Sequence, residues 1–454
     1  MPDTIAAIAT PQNTGGIGII RISGENAVEI AGKVFKAADK RKLETMKGYT
    51  AAYGHAYLEN EPVDECIALV FRAPKSYTGE NTVELSCHGG LFVLKKVLRA
   101  VFEAGARPAE AGEFTKRAFL NGKIDLTEAE AVMSLIHAQG EQGAKAALTA
   151  LDGALSRKMN ELNSMLLSVA AHMSAWVDYP DEDIEELDEK TLLNTLENVK
   201  TQLESLLSRF DSGSAVTKGV ETAIIGKPNV GKSALMNLLS GFGRSIVTDV
   251  AGTTRDVVEQ TVNLGDLLLH LADTAGIHLT DDLVESIGIE RAKEKTERAG
   301  LIFAVFDVSR PLDEADEKII DLCKGKRAVD VLNKSDLPPK ADTGTIEASF
   351  AYTVGLCALD GKGLEELQKA AALLLCTNEL DTSQAMLSTE RQRKNALDAL
   401  AATEEAIDGL AAGITLDAVN VSIDSAISSL MELTGQKTTD AVVDEVFSQF
   451  CVGK

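Results

Sequence analysis

Apolar positions along the 454 residues fall into three textures. Up to about residue 120, short β-branched runs alternate with turns. Ile17 to Ile22, Cys66 to Phe71 and Thr82 to Ser86 read as strands, with helices expected at Ala27 to Phe35 and Leu91 to Ala104. The period then lengthens. Thr127 and Glu130 have the spacing of a capping box. Beyond them, Leu151, Leu155, Met159, Leu162, Leu166 and Val169 recur at helical spacing and predict one long buried face. Pro180 and the acidic run Asp181-Glu182-Asp183 interrupt it, and another helix is expected from about Lys190 to Phe210. A third texture follows Asp211-Ser212-Gly213-Ser214. Apolar runs at Val220 to Ile225, Leu267 to Ala272 and Ala328 to Leu332 alternate with helical stretches, the arrangement that builds a parallel sheet. After about Leu375 helical spacing returns through Leu397, Leu400 and Ile407, then Val419, Ile423, Ile427 and Leu430.

These textures predict a multidomain α/β and α protein. An α+β domain is expected over 1–120, a helical domain split between 121–213 and 379–454, and an α/β domain with a mostly parallel sheet over 214–378. The α/β domain reads as an insertion into the helical one, which is sterically easy because domain termini often lie close together. A length of 454 residues fits about three domains. No stretch approaches a membrane span, and Met1-Pro2-Asp3-Thr4 lacks the basic region of a signal peptide, so a cytoplasmic protein without a membrane partner is expected. Six cysteines without metal-type spacing agree with reduced thiols. A net charge of -24 speaks against a general nucleic-acid coat. Any such contact has to use a local basic patch or lean on a partner. Lys40-Arg41-Lys42, Lys95-Lys96 and Arg391-Gln392-Arg393-Lys394 are the candidates, although each reads first as a solvated face.

The chemistry centres on Gly226-Lys227-Pro228-Asn229-Val230-Gly231-Lys232-Ser233, the spacing G-x-x-x-x-G-K-S. It lies between the strand ending at Ile225 and a helix through Ala234 to Leu239. Glycines at both ends let successive backbone N–H groups turn inward around phosphates, with the helix N-terminus facing the anion. Lys232 can reach the outer phosphates and the Ser233 hydroxyl can coordinate magnesium. Asp273-Thr274-Ala275-Gly276 ends a second strand, where Asp273 can hold magnesium through water and Gly276 can sense the last phosphate. Between the two lies Thr248-Asp249-Val250-Ala251-Gly252-Thr253-Thr254-Arg255, where a switch loop must supply a hydroxyl to the metal. A third strand runs into Asn333-Lys334-Ser335-Asp336. The Asp336 carboxylate can accept two hydrogens from the guanine edge, which adenine does not offer, so GTP rather than ATP is expected. The loop that commonly brings a Ser-Ala pair to guanine reads Cys357-Ala358-Leu359. The Ala358 amide can still serve, while Cys357 leaves the detail of that contact open.

Ile277 stands where many signalling GTPases carry a glutamine that orients water. Either hydrolysis is slow or another group holds the water. Glu285 is the candidate, and as a carboxylate near a helix start it can equally be a solvated charge. No arginine finger is evident in cis. Asn229 offers an amide oxygen at which a monovalent cation could bridge phosphate oxygens, with Thr248, Val250 and Thr253 completing its shell.

Further motifs extend the picture over the whole chain. They are Ala9-Thr10-Pro11, Gly15-Gly16-Ile17-Gly18-Ile19-Ile20-Arg21-Ile22-Ser23-Gly24, Tyr77-Thr78-Gly79-Glu80, Glu84 before His88-Gly89-Gly90, Gly112 to Lys123, and the closing Phe450-Cys451-Val452-Gly453-Lys454. With them the sequence resembles the MnmE (TrmE) family of tRNA modification GTPases. The resemblance implies a Ras-like P-loop GTPase domain, stimulated by potassium, whose switch regions dimerise across two subunits when GTP is bound. It implies potassium contacts at Asn229, Thr248, Val250 and Thr253, magnesium contacts at Ser233 and Thr254, and water positioning by Glu285. It implies that the first domain forms a homodimer and binds 5-formyl- or 5,10-methylene-tetrahydrofolate through Arg21, Glu84, Lys123 and Lys454. It further implies a heterotetramer with the FAD-dependent protein MnmG, which modifies carbon 5 of the wobble uridine of certain tRNAs. His278 stands where relatives carry a basic residue, a small departure. Cys451 is read either as a nucleophile or as a small apolar anchor for the tail. Two other readings remain. A ribosome-assembly GTPase would share every motif after residue 218 but would usually carry a basic RNA-binding module. A GTP-dependent switch or scaffold would need no folate pocket.

Overall fold

Period-2 burial organises the first sheet. In the strand Ile17–Ser23, Ile20 and Ile22 are buried while Ile17 is exposed and Ile19 and Arg21 are half-buried. The structure is a computed structural model that describes residues 3–178, 189–242, 260–271, 296–378 and 380–454. Its contacts separate Met1–Met133 with Leu430–Lys454 from Ser134–Ser429.

In the first unit the strands are β1 (Ile5–Ile8), β2 (Ile17–Ser23), β3 (Phe35–Ala37), β4 (Thr50–Leu58), β5 (Glu61–Phe71), β6 (Thr82–His88) and β7 (Arg107–Pro108). They lie in the order β3-β4-β5-β6-β2-β1-β7, antiparallel except for the β1–β7 pair. Helices Ala27–Val34 and Leu91–Glu103 cover one face, where Val28, Ile30, Leu94, Val97 and Val101 join Ile20, Ile22, Val70 and Leu85 in the core. The opposite face stays open, with Ile17 69%, Tyr53 51% and Ile67 47% exposed. The helix expected through Phe35 stops at Val34, and Phe35 instead begins the edge strand β3. The capping box also differs. The helix Leu126–His137 is capped two residues early, by Asp125. Its carboxylate accepts the Glu128 amide at 2.9 Å, and the Glu128 carboxylate accepts the Asp125 amide at 2.8 Å. Thr127 lies inside the first turn and donates to Asp125.

The second unit holds helices Glu141–Leu151, Ala154–Asp178, Glu189–Ser208, Phe210–Thr217 and Glu390–Ala411. Leu155, Met159, Leu162, Leu166 and Val169 form the expected buried stripe. Leu151 does not belong to it. Gly153, at φ 78°, breaks the chain between two helices, so Leu151 ends the earlier one. In Glu390–Ala411 the buried residues are mostly small, Ala396, Ala399, Ala402, Thr403, Ala406 and Gly409 with Gln392 and Leu410 at the ends, whereas Leu397 is 45% exposed. This helix packs against Glu189–Ser208. Small residues let the two backbones approach along the middle of the helix, and Leu397 lies outside that packed face.

The second sheet contains β8 (Val220–Ile225), β9 (Gln260–Leu264), β10 (Leu267–Leu271), β11 (Leu301–Asp307), β12 (Ala328–Asn333) and β13 (Thr353–Leu356), ordered β13-β12-β11-β8-β10-β9. Every pair is parallel except β9–β10. Both faces are covered, which is why β11 and β12 are buried along their whole length. Asp330 is the exception in chemistry. It lies in β12 between Ala328 and Leu332, fully buried, and neither carboxylate oxygen closes a hydrogen bond. Burial pushes its carboxyl up to about 6. Thr353, its register neighbour, counters this only in part, and the Glu347 charge adds to it.

Candidate functional site

The phosphate loop spans the end of β8 and the start of helix Lys232–Phe242. Gly231 has φ 105°, and a Cβ there would overlap Asn333 Nδ2. Gly226 is closed in by the Val305 carbonyl. Asn229 sits at φ 64°, a left-handed conformation that asparagine tolerates better than most side chains. Its side chain is exposed, as is that of Ser233, while Val230 is buried and Lys232 and Ala234 are half-buried. The Lys232 ammonium donates to the carbonyls of Gly226 at 2.8 Å and Lys227 at 2.6 Å, which holds it across the loop.

Residues about a hundred positions away fix this loop. Asn333 Nδ2 donates to the Val230 carbonyl at 2.7 Å, and its Oδ1 accepts the Ala358 amide at 3.1 Å. One buried amide thus joins the phosphate loop to the guanine loop. Lys334, at φ 63°, donates to the Asn229 carbonyl at 3.1 Å and pairs with Asp307. Burial works against the Asp307 charge, yet Lys334 and Ser309 hold its carboxyl below the usual carboxylate range. Lys227 is anchored to Asp313 at 2.7 Å and Asp316 at 2.6 Å, the capping box of helix Glu314–Cys323. Asp336 is exposed at the mouth of the guanine loop. The buried Cys357 thiol lies near it. The amides of Asp360 and Leu359 favour its thiolate, burial and the carboxylates of Asp360 and Asp336 oppose it, and its pKa is raised on balance.

Asp307 was absent from the sequence expectations, and Lys227 stood in the loop motif without a role. Asp307 ends the run Leu301–Asp307 as an acid after six apolar residues. That signal identifies a strand end but not its partner, because Lys334 is 27 residues away.

The first unit assembles a second cluster. Arg21 and Glu84 are register partners on β2 and β6, and Arg21 Nε donates to Glu84 Oε1 at 2.9 Å. The guanidinium also donates to the Gly453 carbonyl at 3.3 Å and lies 5.7 Å from the Tyr77 ring centre and 5.6 Å from that of Phe114. Lys454 is half-buried beside it. Burial, then the Arg21 charge, lower its ammonium pKa. Lys123 stands on the neighbouring loop and donates to the Pro74 carbonyl at 3.3 Å.

The tail is clamped into this cluster. Gly453, at φ 101°, lies so close to the Ile8 carbonyl that a Cβ would clash, and the Lys454 carbonyl accepts the Phe114 amide at 3.2 Å. Phe450, buried, is the tail's apolar anchor, its ring 5.3 Å from that of Phe447. Cys451 is exposed, which removes the anchoring role considered for it.

Behind the cluster, Arg117 is 4% exposed and joins Glu80, Glu113 and Asp3, while Arg107 pairs with Glu113 and Asp3. Glu80 also accepts from Ser23 at 2.8 Å, and Ser23 meets Thr78 at 2.7 Å. The motifs Tyr77–Glu80 and Gly112–Lys123 therefore hold each other. Thr248, Asp249, Val250, Ala251, Gly252, Thr253, Thr254, Asp273, Thr274, Ala275, Gly276, Ile277, His278 and Glu285 lie outside the described residues.

A mostly parallel sheet whose first β-to-α turn is a glycine-bounded phosphate loop, tied to a guanine-reading Asn-Lys-Ser-Asp segment, defines a P-loop GTPase. Family models match residues 126–451 as MnmE helical domain and 4–123 as the GTP-binding protein TrmE N-terminus. The chain is 40% identical to the tRNA modification GTPase MnmE of Acetivibrio thermocellus, covering 100% of this chain and 99% of that one. It is 42% identical to those of Geobacillus kaustophilus and Alkaliphilus oremlandii, with the same coverage. The chain belongs to the family of tRNA modification GTPases MnmE. It is accordingly a GTP-binding hydrolase, and the family implies magnesium with the nucleotide. Among the described residues no helix is long and apolar enough to cross a membrane.

Proposed function

We propose that this GTPase acts in the cytoplasm with the FAD-dependent protein MnmG, as a heterotetramer, to place an aminomethyl or carboxymethylaminomethyl group on carbon 5 of the wobble uridine. The observation that carries this reading is the Arg21 cluster. A reduced folate presents an amide and amino group suited to a carboxylate, and a carboxylate tail suited to cations. Arg21, Glu84 and Lys454 supply both kinds of partner beside Tyr77 and Phe114, with Lys123 on the next loop. The donor set fits 5-formyl- or 5,10-methylene-tetrahydrofolate, which when bound supplies the one-carbon unit. The open apolar face bearing Ile17 and Ile67 supports a homodimer through residues 1–120.

In the GTPase segment, 214–378, we assign phosphate binding to Asn229, Val230, Gly231, Lys232, Ser233 and Ala234. Thr248 to Thr254 and Asp273 to Gly276 complete the nucleotide site. Asn333, Lys334, Asp336 and Ala358 form the guanine site. Ser233 and Thr254 hold magnesium, Asn229, Thr248, Val250 and Thr253 hold potassium, and Glu285 positions water. Hydrolysis drives a conformational cycle, because phosphate and metal contacts order switch loops and their loss releases them. It does not itself form the carbon bond. The helical parts, 121–213 and 379–454, carry the insertion and the exposed Cys451.

Mass spectrometry of wobble nucleosides from cells lacking this protein tests the reading. Loss of the modified uridine is expected, and unchanged nucleosides overturn it. Cys451→Ser should leave GTP hydrolysis intact and abolish modification. If modification persists, the thiol takes no part in carbon transfer. Replacing potassium by sodium should slow turnover severalfold, and equal rates remove Asn229 from the mechanism.

A further inference from the structure

The loop between β3 and β4 is an island of positive charge on an acidic protein. From Lys33 to Lys47 the chain carries Lys33, Lys36, Lys40, Arg41, Lys42 and Lys47 against only Asp39 and Glu44, in a molecule of net charge -24. All six cations are exposed. Arg41 pairs with Asp39 and Lys33 with Glu29, both exposed pairs of little energetic weight. Lys40, Lys42 and Lys47 have no acidic partner among the described residues.

The loop is built rather than slack. Leu43 and Met46 plug into the core of the first unit. The Arg72 guanidinium donates to the carbonyls of Leu43 at 3.1 Å, Glu44 at 2.7 Å and Met46 at 3.0 Å. The Thr45 hydroxyl donates to the Lys42 carbonyl at 2.8 Å. Lysines set on a fixed frame lose less freedom on meeting a ligand than lysines on a loose one.

An aromatic surface adjoins the charge. Tyr49 is 64% exposed and is held at φ 61°, an uncommon backbone for a bulky residue. Its ring stands edge-on to Phe71 at 5.5 Å, which leaves a face open. Within the patch Lys36 lies over the Tyr57 ring at 4.4 Å, and the other basic runs hold similar contacts. Arg393 lies over the Phe210 ring at 5.0 Å and near Glu390 at 3.5 Å, and Lys96 lies over Phe92 at 5.0 Å.

We propose that this loop, with Lys36, Lys40, Arg41, Lys42 and Lys47, binds the phosphate backbone of tRNA, and that Tyr49 stacks on a base beside it. The inference rests on the tRNA-modifying reading and adds where this chain meets the nucleic acid. Fixed cations with an open aromatic face suit RNA phosphates and unstacked bases. The acidic remainder repels RNA elsewhere, so binding is confined to this edge.

The test is fluorescence anisotropy of a labelled tRNA titrated with the full-length protein at several salt concentrations. K40E/R41E/K42E should weaken binding at least tenfold and flatten the log–log salt slope by about 2, since each phosphate contact contributes nearly one unit. The milder K40Q/R41Q/K42Q should move both the same way. Y49A should weaken binding severalfold and leave the slope alone. GTP hydrolysis and the thermal midpoint should stay at wild-type values in all three. Wild-type affinity and slope in both triple variants would overturn the proposal. So would retained tRNA affinity with loss of an acidic protein partner. If the wild type binds no tRNA, this surface fails, while the wobble nucleosides of the deletion strain still decide the modification reading separately.

Discussion

The nucleotide loop and the Arg21 cluster are made in opposite ways. Eight consecutive residues shape the first, and its donors are mostly backbone. The second gathers side chains from β2, β6, the Tyr77 loop and the tail, and Arg21 meets Gly453 across 432 positions. A contiguous loop can be recognised from spacing because its own residues are consecutive, even where Asn333 and Lys334 tie it down from about a hundred positions away. A gathered cluster exists only when distant segments have closed. The two units also differ in how they treat buried charge. The first surrounds Arg117 with carboxylates, whereas the second leaves Asp330 buried and without a hydrogen bond.

The sharpest way to break this contrast is to open the closure. Arg117→Met leaves Glu113 buried against one fewer cation and should cost about 3–5 kcal/mol of stability in the first unit, read by urea denaturation. GTP affinity should be untouched, and a parallel loss of GTP affinity would mean that the units do not act separately. Next comes the loop's own locality. Gly231→Ala forces a Cβ against Asn333 at a positive φ and should lower GTP turnover by about 100-fold, roughly 3 kcal/mol of barrier. Near-normal turnover would show that the Asn333 crossing is dispensable.

Asp330 offers a smaller effect with a defined pH signature. Its native carboxyl keeps a proton up to about pH 6, while the unfolded chain releases it near the ordinary 3.8. Its contribution is therefore fully present below pH 3.8, is lost as pH rises through 6, and stays lost at neutrality. The loss amounts to about 2–3 kcal/mol. Asp330→Val should raise the melting temperature at pH 7 and flatten that part of the stability–pH curve, and unchanged melting would place a donor on the carboxylate. Smallest is Arg21→Gln, expected to weaken reduced-folate binding about tenfold by calorimetry, as the loss of one charge-assisted contact does. Equal affinity would separate the cluster from folate.

The sequence was most legible where structure is local. Three strands of the second sheet, β8, β10 and β12, the loop glycines and the stripe from Leu155 to Val169 follow from spacing and period, whereas β9, β11 and β13 were not among the strands expected. Legibility failed where a neighbour decides. Ala396 and Ala399 are buried where this helix meets its partner helix, while Leu397 is exposed and Leu400 and Ile407 are half-buried, so the apolar spacing gave the helix but not its packed face. Asp125 takes the cap that Thr127 also could have filled, and only the helix start separates them. Gly153 was a helix break hidden inside a continuous apolar rhythm. The Arg117 network was invisible, since its carboxylates come from positions 3, 80 and 113.

The division of the chain has a consequence for the order of events during translation. Residues 1–133 leave the ribosome early, but the segment that completes their unit, Leu430–Lys454, follows only after the whole of Ser134–Ser429. At 5–20 residues per second that interval is about 15–60 s. The side of β1 that Gly453 will close stays uncovered until that segment has itself emerged from the ribosome.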